Sequence, residues 1–220
     1  MIIPESRLSF LAVNVFKLLL VRRAQPVLTS KIMKKDIILC GVGGQGILSI
    51  ATIIGEAATK AGLNLKQAEV HGMSQRGGDV QSHLRLSDAE IYSDLIAEGS
   101  ADMIISMEPM ESLRYLPYLA ADGKIVTSNK PFVNIPNYPE MADVTAALES
   151  LPSVAMDIEE VAKNAGNARG ANMVLLGMAA RYLQILTPDQ LCDAIRTIFA
   201  RKGEAVVEAN IKAFQAGYGE

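Results

Sequence analysis

Residues 36–61 read DIILC GVGGQG ILSIATIIGEAATKA, and this stretch decides the fold of the chain. Asp36–Cys40 is a short apolar run, which is typical of a parallel strand covered on both faces. The run stops at a glycine-rich turn, Gly41–Gly46. Ile47–Ala61 then has the composition of a helix, with a stop signal at Gly62. A strand, a tight turn and a helix in this order predict the first unit of an α/β fold.

The same alternation continues along the chain. Further predicted strands are 63–70, 80–86, 102–107, 123–127 and 153–156. Further predicted helices are 109–119, 145–151, 157–165, 170–186, 188–201 and 203–216. Strands that alternate with helices predict a three-layer, Rossmann-like α/β fold with a mostly parallel sheet and a helical C-terminal region.

The composition excludes several classes of protein. Half of the 220 residues are hydrophobic, which excludes a disordered chain. The net charge of −3 offers no basic surface, so we expect no nucleic-acid partner. Two cysteines, Cys40 and Cys192, exclude a disulfide framework and a four-cysteine cluster or zinc site within this chain alone. These cysteines and the two histidines show no metal-site spacing, and we predict no metal ligand.

Residues 1–32 differ from the rest of the chain. They hold five basic residues against one acidic residue, and Lys17 interrupts the apolar run Leu8–Val21. This run is too short for a membrane span and unlike the core of a signal peptide. We expect an extension outside the main domain, or a start codon assigned too far upstream with Met33 as the alternative. An amphipathic helix that touches a membrane or a partner is the other interpretation. We expect a single domain over 33–220, no membrane association and a cytoplasmic location.

The glycine-rich turn matches the GxGxxG pattern between a strand and a helix. Its candidate binding residues are Gly41, Gly43, Gly44, Gln45 and Gly46. Such a turn brings backbone N–H groups close to an anion at the start of a helix. A phosphate-bearing ligand is one interpretation, and a tight turn that binds nothing is the other. Glu69 lies 23 residues after Gly46, where an acid binds the ribose of a dinucleotide. Spacing alone therefore suggests a nicotinamide or flavin dehydrogenase.

A second glycine-rich loop, HGMSQRGG at 71–78, follows the second predicted strand. Open α/β sheets bind ligands at the carboxyl ends of their strands, where this loop lies. Its candidate site residues are His71, Ser74, Gln75, Arg76, Gly77 and Gly78, with His83 in the strand that follows. The guanidinium of Arg76 suits a carboxylate or a phosphate. A solvated arginine on a polar turn is the alternative.

Four segments in the same order resemble the gamma-type subunits of 2-oxoacid:ferredoxin oxidoreductases. They are GVGGQG at 41–46, EVHGMSQRGGDVQSHLRL at 69–86, IYSDLI at 91–96 and KGEAVVEANIKAFQAG at 202–217. The HGMSQRGG form looks most like the beta subunits of the indolepyruvate branch. The resemblance covers roughly Met33 to the C-terminus. Asp79 stands where the family usually has a small residue, so its carboxylate is expected either to weaken an anion site or to pair with Arg76.

The resemblance implies a non-redox, accessory subunit of an enzyme that oxidatively decarboxylates aryl 2-oxoacids. In this family, coenzyme A is the cosubstrate, an acyl-CoA is the product and ferredoxin takes the electrons. The resemblance places thiamine diphosphate, Mg and [4Fe-4S] clusters in a large alpha subunit, with which this chain would form a heterodimer. The chain has no GDG and Asn-Asn pattern of a thiamine site.

The implied chemistry of the chain itself is binding and positioning, with no catalytic residue of its own. The first glycine loop would cradle a phosphate or a facing loop, and the second would face the active site of the partner. Arg76 would hold the substrate carboxylate or a phosphate of coenzyme A.

Two other functions remain open from the residues alone. A free-standing Rossmann-type NAD(P)-dependent dehydrogenase predicts hydride transfer without a partner, although no acid–base pair for it is evident. A non-catalytic nucleotide-sensing module predicts a stable lone protein.

Two further features are open to more than one interpretation. Glu108, after the predicted strand 102–107, is a candidate at the ligand edge, and Asn172 is a candidate at a helix start near an interface. The helix Ala171–Leu186 is either a subunit contact or core. Its residues near one face are Met173, Leu176, Gly177 and Ala180.

Overall fold

A computed structural model describes residues 33–71 and 77–219, so the expectations for residues 1–32 lie outside it. The strands are β1 (Lys34–Val42), β2 (Asn64–His71), β3 (Asp79–Ser87), β4 (Ala101–Ser106), β5 (Leu119–Ser128) and β6 (Ser153–Met156). The helices are α1 (Ile47–Lys60), α2 (Pro109–Arg114), α3 (Met141–Glu149), α4 (Ile158–Asn164), α5 (Ala171–Leu183), α6 (Pro188–Phe199) and α7 (Glu204–Gly219). Within these ranges, no helix has the length and apolar character that crossing a membrane requires.

The strands form one sheet in the order β2-β3-β1-β4-β5-β6. β1, β4, β5 and β6 pair in parallel, which confirms the predicted mostly parallel α/β fold. β3 is antiparallel to both of its neighbours and lies between β1 and β2. Only seven residues separate β2 from β3, and this is too short for the crossover that a parallel neighbour needs. A dinucleotide fold has its second strand beside the first, and here β3 takes that place.

Helices cover both faces of the sheet, as the continuous apolar run of β1 predicts. Ile37 and Leu39 belong to a core shared with α1 and with α4 to α7. Ile38 and Cys40 belong to a second core shared with α2 and α3. Successive side chains of a strand point to opposite faces, so one apolar run supplies both layers.

The predicted helix over 109–119 is too long. α2 ends at Arg114, a short 3-10 turn covers Leu116–Tyr118, and β5 begins at Leu119, before the strand predicted at 123–127. Pro117 lacks an N–H group, and it disfavours the helical conformation of the residue before it. The other large difference is α3, which begins at Met141 and ends at Glu149.

Glycines allow α5 and α7 to pack backbone to backbone. A Cβ at Gly177 would lie 2.0 Å from the carbonyl oxygen of Phe214, and one at Gly217 would lie 2.0 Å from the carbonyl oxygen of Val174. The sequence allows two interpretations of one face of α5, a subunit contact or core. The residues of this face are buried within the chain, namely Met173, Leu176, Gly177 and Ala180. This face of α5 is therefore core.

We expect Gly177→Ala to lower the free energy of unfolding by about 2 kcal/mol or more, because its methyl group would force the two helix backbones apart. Gly219→Ala, at the end of α7, is the matched control, since a Cβ there meets nothing within 4 Å. The control should be neutral or slightly stabilising because alanine is the better helix former. Urea unfolding of both variants measures the difference, and equal stabilities would contradict the close packing.

Candidate functional site

Three loops meet at the edge of the sheet where β1, β4 and β5 end. The first glycine loop, Gly41–Gly46, begins in the last residues of β1. The second glycine loop precedes β3, whose first residue, Asp79, is paired with Val42 of β1. The third loop, residues 129–140, follows β5. Because β3 is antiparallel, its start lies at the same edge as the end of β1.

Backbone hydrogen bonds join the two glycine loops. The N–H group of Gly43 donates to the carbonyl of Gly78 at 2.8 Å, and that of Gly77 donates to the carbonyl of Gly43 at 3.4 Å. From the third loop, Nδ2 of Asn134 donates to the carbonyl of Gly77 at 2.8 Å. The predicted glycines of the two loops are thus brought together. His71 is the last residue of β2, and Ser74, Gln75 and Arg76 lie outside the described residues.

Gln45 is turned back onto its own loop. Its Oε1 accepts a hydrogen bond from the N–H group of Val42 at 2.7 Å. Its Nε2 donates to the carbonyl of Met107 at 3.5 Å. The side chain therefore fixes the shape of the first loop and ties it to the segment after β4.

Helix α1 begins at this edge without a side-chain cap from the described residues. Its N-cap, Gly46, has φ +84°. Nδ2 of Asn172 donates a hydrogen bond to the Gly46 carbonyl at 3.3 Å. Gly44 has φ +102°, and a Cβ there would meet nothing within 4 Å. Uncapped N–H groups at a helix start favour an anion. The open backbone at Gly44 gives a ligand or a facing loop room to approach.

Glu108, a candidate site residue from the sequence, is a fully buried acid at this edge. Its side chain caps α2, with Oε2 accepting from the N–H group of Glu111 at 2.8 Å. Oε1 accepts from the N–H group of Phe132 at 3.3 Å and from the hydroxyl of Tyr138. Burial raises the pKa of Glu108, while these hydrogen bonds act in the opposite direction.

Two more carboxylates lie close to this edge. Glu111 is buried and pairs with Arg114, with 2.8 Å between Oε2 and Nε. Burial raises the pKa of Glu111 and the pairing with Arg114 lowers it. Asp79 is exposed, and its Oδ2 accepts a hydrogen bond from the Tyr115 hydroxyl at 3.3 Å. Of the two alternatives for Asp79, its pairing with Arg76 falls outside the described residues.

His83 does not lie with the other predicted site residues. It sits in the middle of β3, opposite Ile38, with only 3% of its surface exposed. Its Nδ1 accepts from the N–H group of Ile96 at 3.0 Å, and its ring packs perpendicular to the ring of Tyr118. Burial, and then the charge of Arg85, lower its pKa. The contacts of His83 support the segment between β3 and β4.

Glu69 also lies away from the first glycine loop. It is on the edge strand β2, and β3 stands between it and β1. Strands two places apart are separated by about 10 Å. Glu69 accepts a hydrogen bond from Nε2 of Gln67 at 2.6 Å. Glu69 is therefore not placed to bind the ribose of a dinucleotide at the first glycine loop, as its spacing from Gly46 suggested. In the described part of the chain, no group of three or more His, Cys, Asp and Glu is placed to hold a metal ion.

Sequence reasoning missed the role of the third loop. Its prolines and asparagines identify a loop, but nothing in their pattern shows that Asn134 contacts Gly77 or that Tyr138 contacts Glu108. Both contacts join segments that are distant in sequence, and neither repeats a local motif.

We expect the stabilising effect of His83 to fall on acidification, because protonation of Nδ1 would break its bond to Ile96. A lowered histidine pKa gives stability that is present above the ordinary value of about 6.5 and is lost as pH falls through the folded value. His83→Asn offers an acceptor that does not titrate. Urea unfolding between about pH 7.5 and pH 5 should show that the free energy of unfolding falls more for the wild-type chain than for His83→Asn. A difference that stays constant with pH would contradict this account.

Known proteins are similar to this chain in both sequence and fold. Residues 36–220 match the family described as pyruvate ferredoxin/flavodoxin oxidoreductase. The indolepyruvate oxidoreductase subunit IorB of Archaeoglobus fulgidus is 34% identical over 197 residues, which cover 86% of this chain and 96% of that protein. IorB of Pyrococcus horikoshii is 36% identical over 192 residues, covering 83% of this chain and 93% of that protein.

A solved structure agrees with these relatives. The gamma subunit of a keto/oxoacid ferredoxin oxidoreductase from Geobacter sulfurreducens PCA has a TM-score of 0.65 at 25% identity, covering 85% of this chain and 95% of that one. These similarities confirm the resemblance carried by the four sequence segments. The chain therefore belongs to the pyruvate ferredoxin/flavodoxin oxidoreductase family, as a gamma-type subunit similar to the IorB subunits of indolepyruvate oxidoreductases.

Proposed function

We propose that the chain is the accessory, non-redox subunit of an arylpyruvate:ferredoxin oxidoreductase that uses thiamine diphosphate. The observation that carries this proposal is the similarity to IorB subunits over 93% or more of their length. The enzyme would convert an aryl 2-oxoacid such as indolepyruvate, with coenzyme A, into an acyl-CoA and carbon dioxide. Two electrons would pass to ferredoxin.

The redox chemistry in this proposal belongs to a large alpha subunit. That partner would hold thiamine diphosphate with Mg and the [4Fe-4S] clusters, and the complex would work in the cytoplasm. With only two cysteines, this chain is suited to binding rather than to holding a cluster. Residues 33–220 would form its single domain, with residues 1–32 as an extension outside it.

The edge of the sheet where the three loops meet, at residues 41–46, 71–78 and 129–140, is called the loop edge. We assign it to the active site shared with the partner. The open backbone at Gly44 and the uncapped start of α1 fit a phosphate of coenzyme A or a facing loop of the partner. Arg76, in the adjoining loop, would bind the substrate carboxylate or a coenzyme A phosphate. Correct placement of reactants lowers a barrier by several kcal/mol, so a subunit without catalytic groups contributes strongly to the rate.

The proposal is tested by purifying the tagged chain anaerobically from its native host and identifying what comes with it. We expect a large iron–sulfur partner, and viologen reduction that requires coenzyme A and proceeds with indolepyruvate or phenylpyruvate. Activity on pyruvate alone would overturn the aryl substrate class. A lone, colourless protein without activity would overturn the proposed function.

Within that complex, Arg76→Ala should raise the KM for either the 2-oxoacid or coenzyme A by about tenfold or more, because one charged hydrogen-bonding contact is lost. Arg201→Ala, at an exposed position near the C-terminus, is the matched control and should leave both KM values unchanged. Steady-state kinetics with each substrate varied in turn makes the measurement. Unchanged KM values in an intact complex would rule out this role for Arg76.

A further inference from the structure

The third loop has an exposed apolar tip on a buried polar anchor. Phe132 and Val133 are 45% and 66% exposed, whereas Glu108 beneath them is 0% exposed. Oε1 of Glu108 accepts hydrogen bonds from the backbone of Phe132 and from the hydroxyl of Tyr138. Two points of the loop that are six residues apart are therefore attached to one carboxylate oxygen.

Asn134 lies between these two points and extends the contact to the glycine loops. Its Nδ2 donates to the carbonyl of Gly77 at 2.8 Å. The N–H group of Gly77 in turn donates to the carbonyl of Gly43 at 3.4 Å. The buried carboxylate, the third loop and both glycine loops thus form one continuous hydrogen-bonded series.

The chemistry of this anchor requires a carboxylate. Both oxygens of Glu108 accept from donors, since Oε2 is bound to the N–H group of Glu111 while Oε1 serves the loop. A glutamine would turn an NH₂ group towards one of these donors and leave a buried group unsatisfied. Among the described residues, no Lys, Arg or His contacts the carboxylate, so its burial depends on these donors.

We propose that Glu108 is a positioning residue, which holds the third loop so that Asn134 fixes Gly77 against Gly43 and thereby sets the place of the backbone at Gly77 and Gly78. The linkage between the loops follows from the contacts alone. Its consequence for substrate binding rests on the proposed function. Arg76 directly precedes Gly77 in the sequence, so under the proposed function a displaced Gly77 would weaken the binding of an anion by Arg76.

The first test is hydrogen exchange of the lone full-length chain, which reports local opening. Glu108→Gln and Tyr138→Phe should each speed exchange by about tenfold or more, both in residues 129–140 and in residues 77–79. Glu98→Gln and Tyr92→Phe, both at exposed positions, are the matched controls and should change neither segment. Faster exchange in residues 129–140 alone would overturn the linkage. Tyr138→Phe removes a single hydroxyl, so the test stands even where Glu108→Gln impairs folding.

The second test uses the complex with its partner subunit. Glu108→Gln or Tyr138→Phe should each raise a KM by about tenfold, and the substrate concerned should be the one whose KM Arg76→Ala raises. In the double variant, the effects of Tyr138→Phe and Arg76→Ala should not add. A general loss of structure would instead lower kcat and weaken assembly. Faster exchange in both segments with unchanged KM values would overturn the positioning role. A wild-type complex inactive on 2-oxoacids would overturn the proposed function, and the exchange comparison would still decide the linkage.

Discussion

The antiparallel pairing of β1 with β3 in one register, with Val42 opposite Asp79, sets the geometry of the whole loop edge. A slip of one residue would move every side chain of β3 to the other face of the sheet. Leu84 and Leu86 of β3 are fully buried in the larger core, so hydrophobic burial holds the register. The glycine loops meet because each is joined directly to one of these two strands.

The polar side chains at this edge mostly serve the backbone of the loops. Gln45 closes the first loop, Asn134 holds Gly77 at the end of the second, and Glu108 holds the third. The hydrogen bonds that these three side chains make are all within the chain, although Oδ1 of Asn134 is buried without a partner among the described residues. A Cβ at Gly44, in contrast, would meet nothing within 4 Å. Loops held by hydrogen bonds within the chain are suited to placing the groups of another molecule. That agrees with a subunit that positions reactants for chemistry carried out by its partner.

Local signals made much of the fold predictable from the sequence. The strand, turn and helix over residues 36–61 follow directly from apolar runs and glycines. The place of β3 was not predictable, since alternation over residues 80–86 indicates a strand but not its neighbours or direction. Proximity in sequence groups His83 with the second loop, yet β3 carries it into the sheet, opposite Ile38. The contact between Glu108 and Tyr138 spans 30 residues, and no periodic pattern encodes it.

The structure of the purified complex with coenzyme A bound tests the central claim most directly. The measurement is which edge of this sheet faces the thiamine diphosphate that we propose for the partner. The account predicts that residues 41–46, 71–79 and 129–140 line that interface. An interface formed by the opposite edge, at Lys34 and residues 88–100, with the glycine loops turned to solvent, would contradict it.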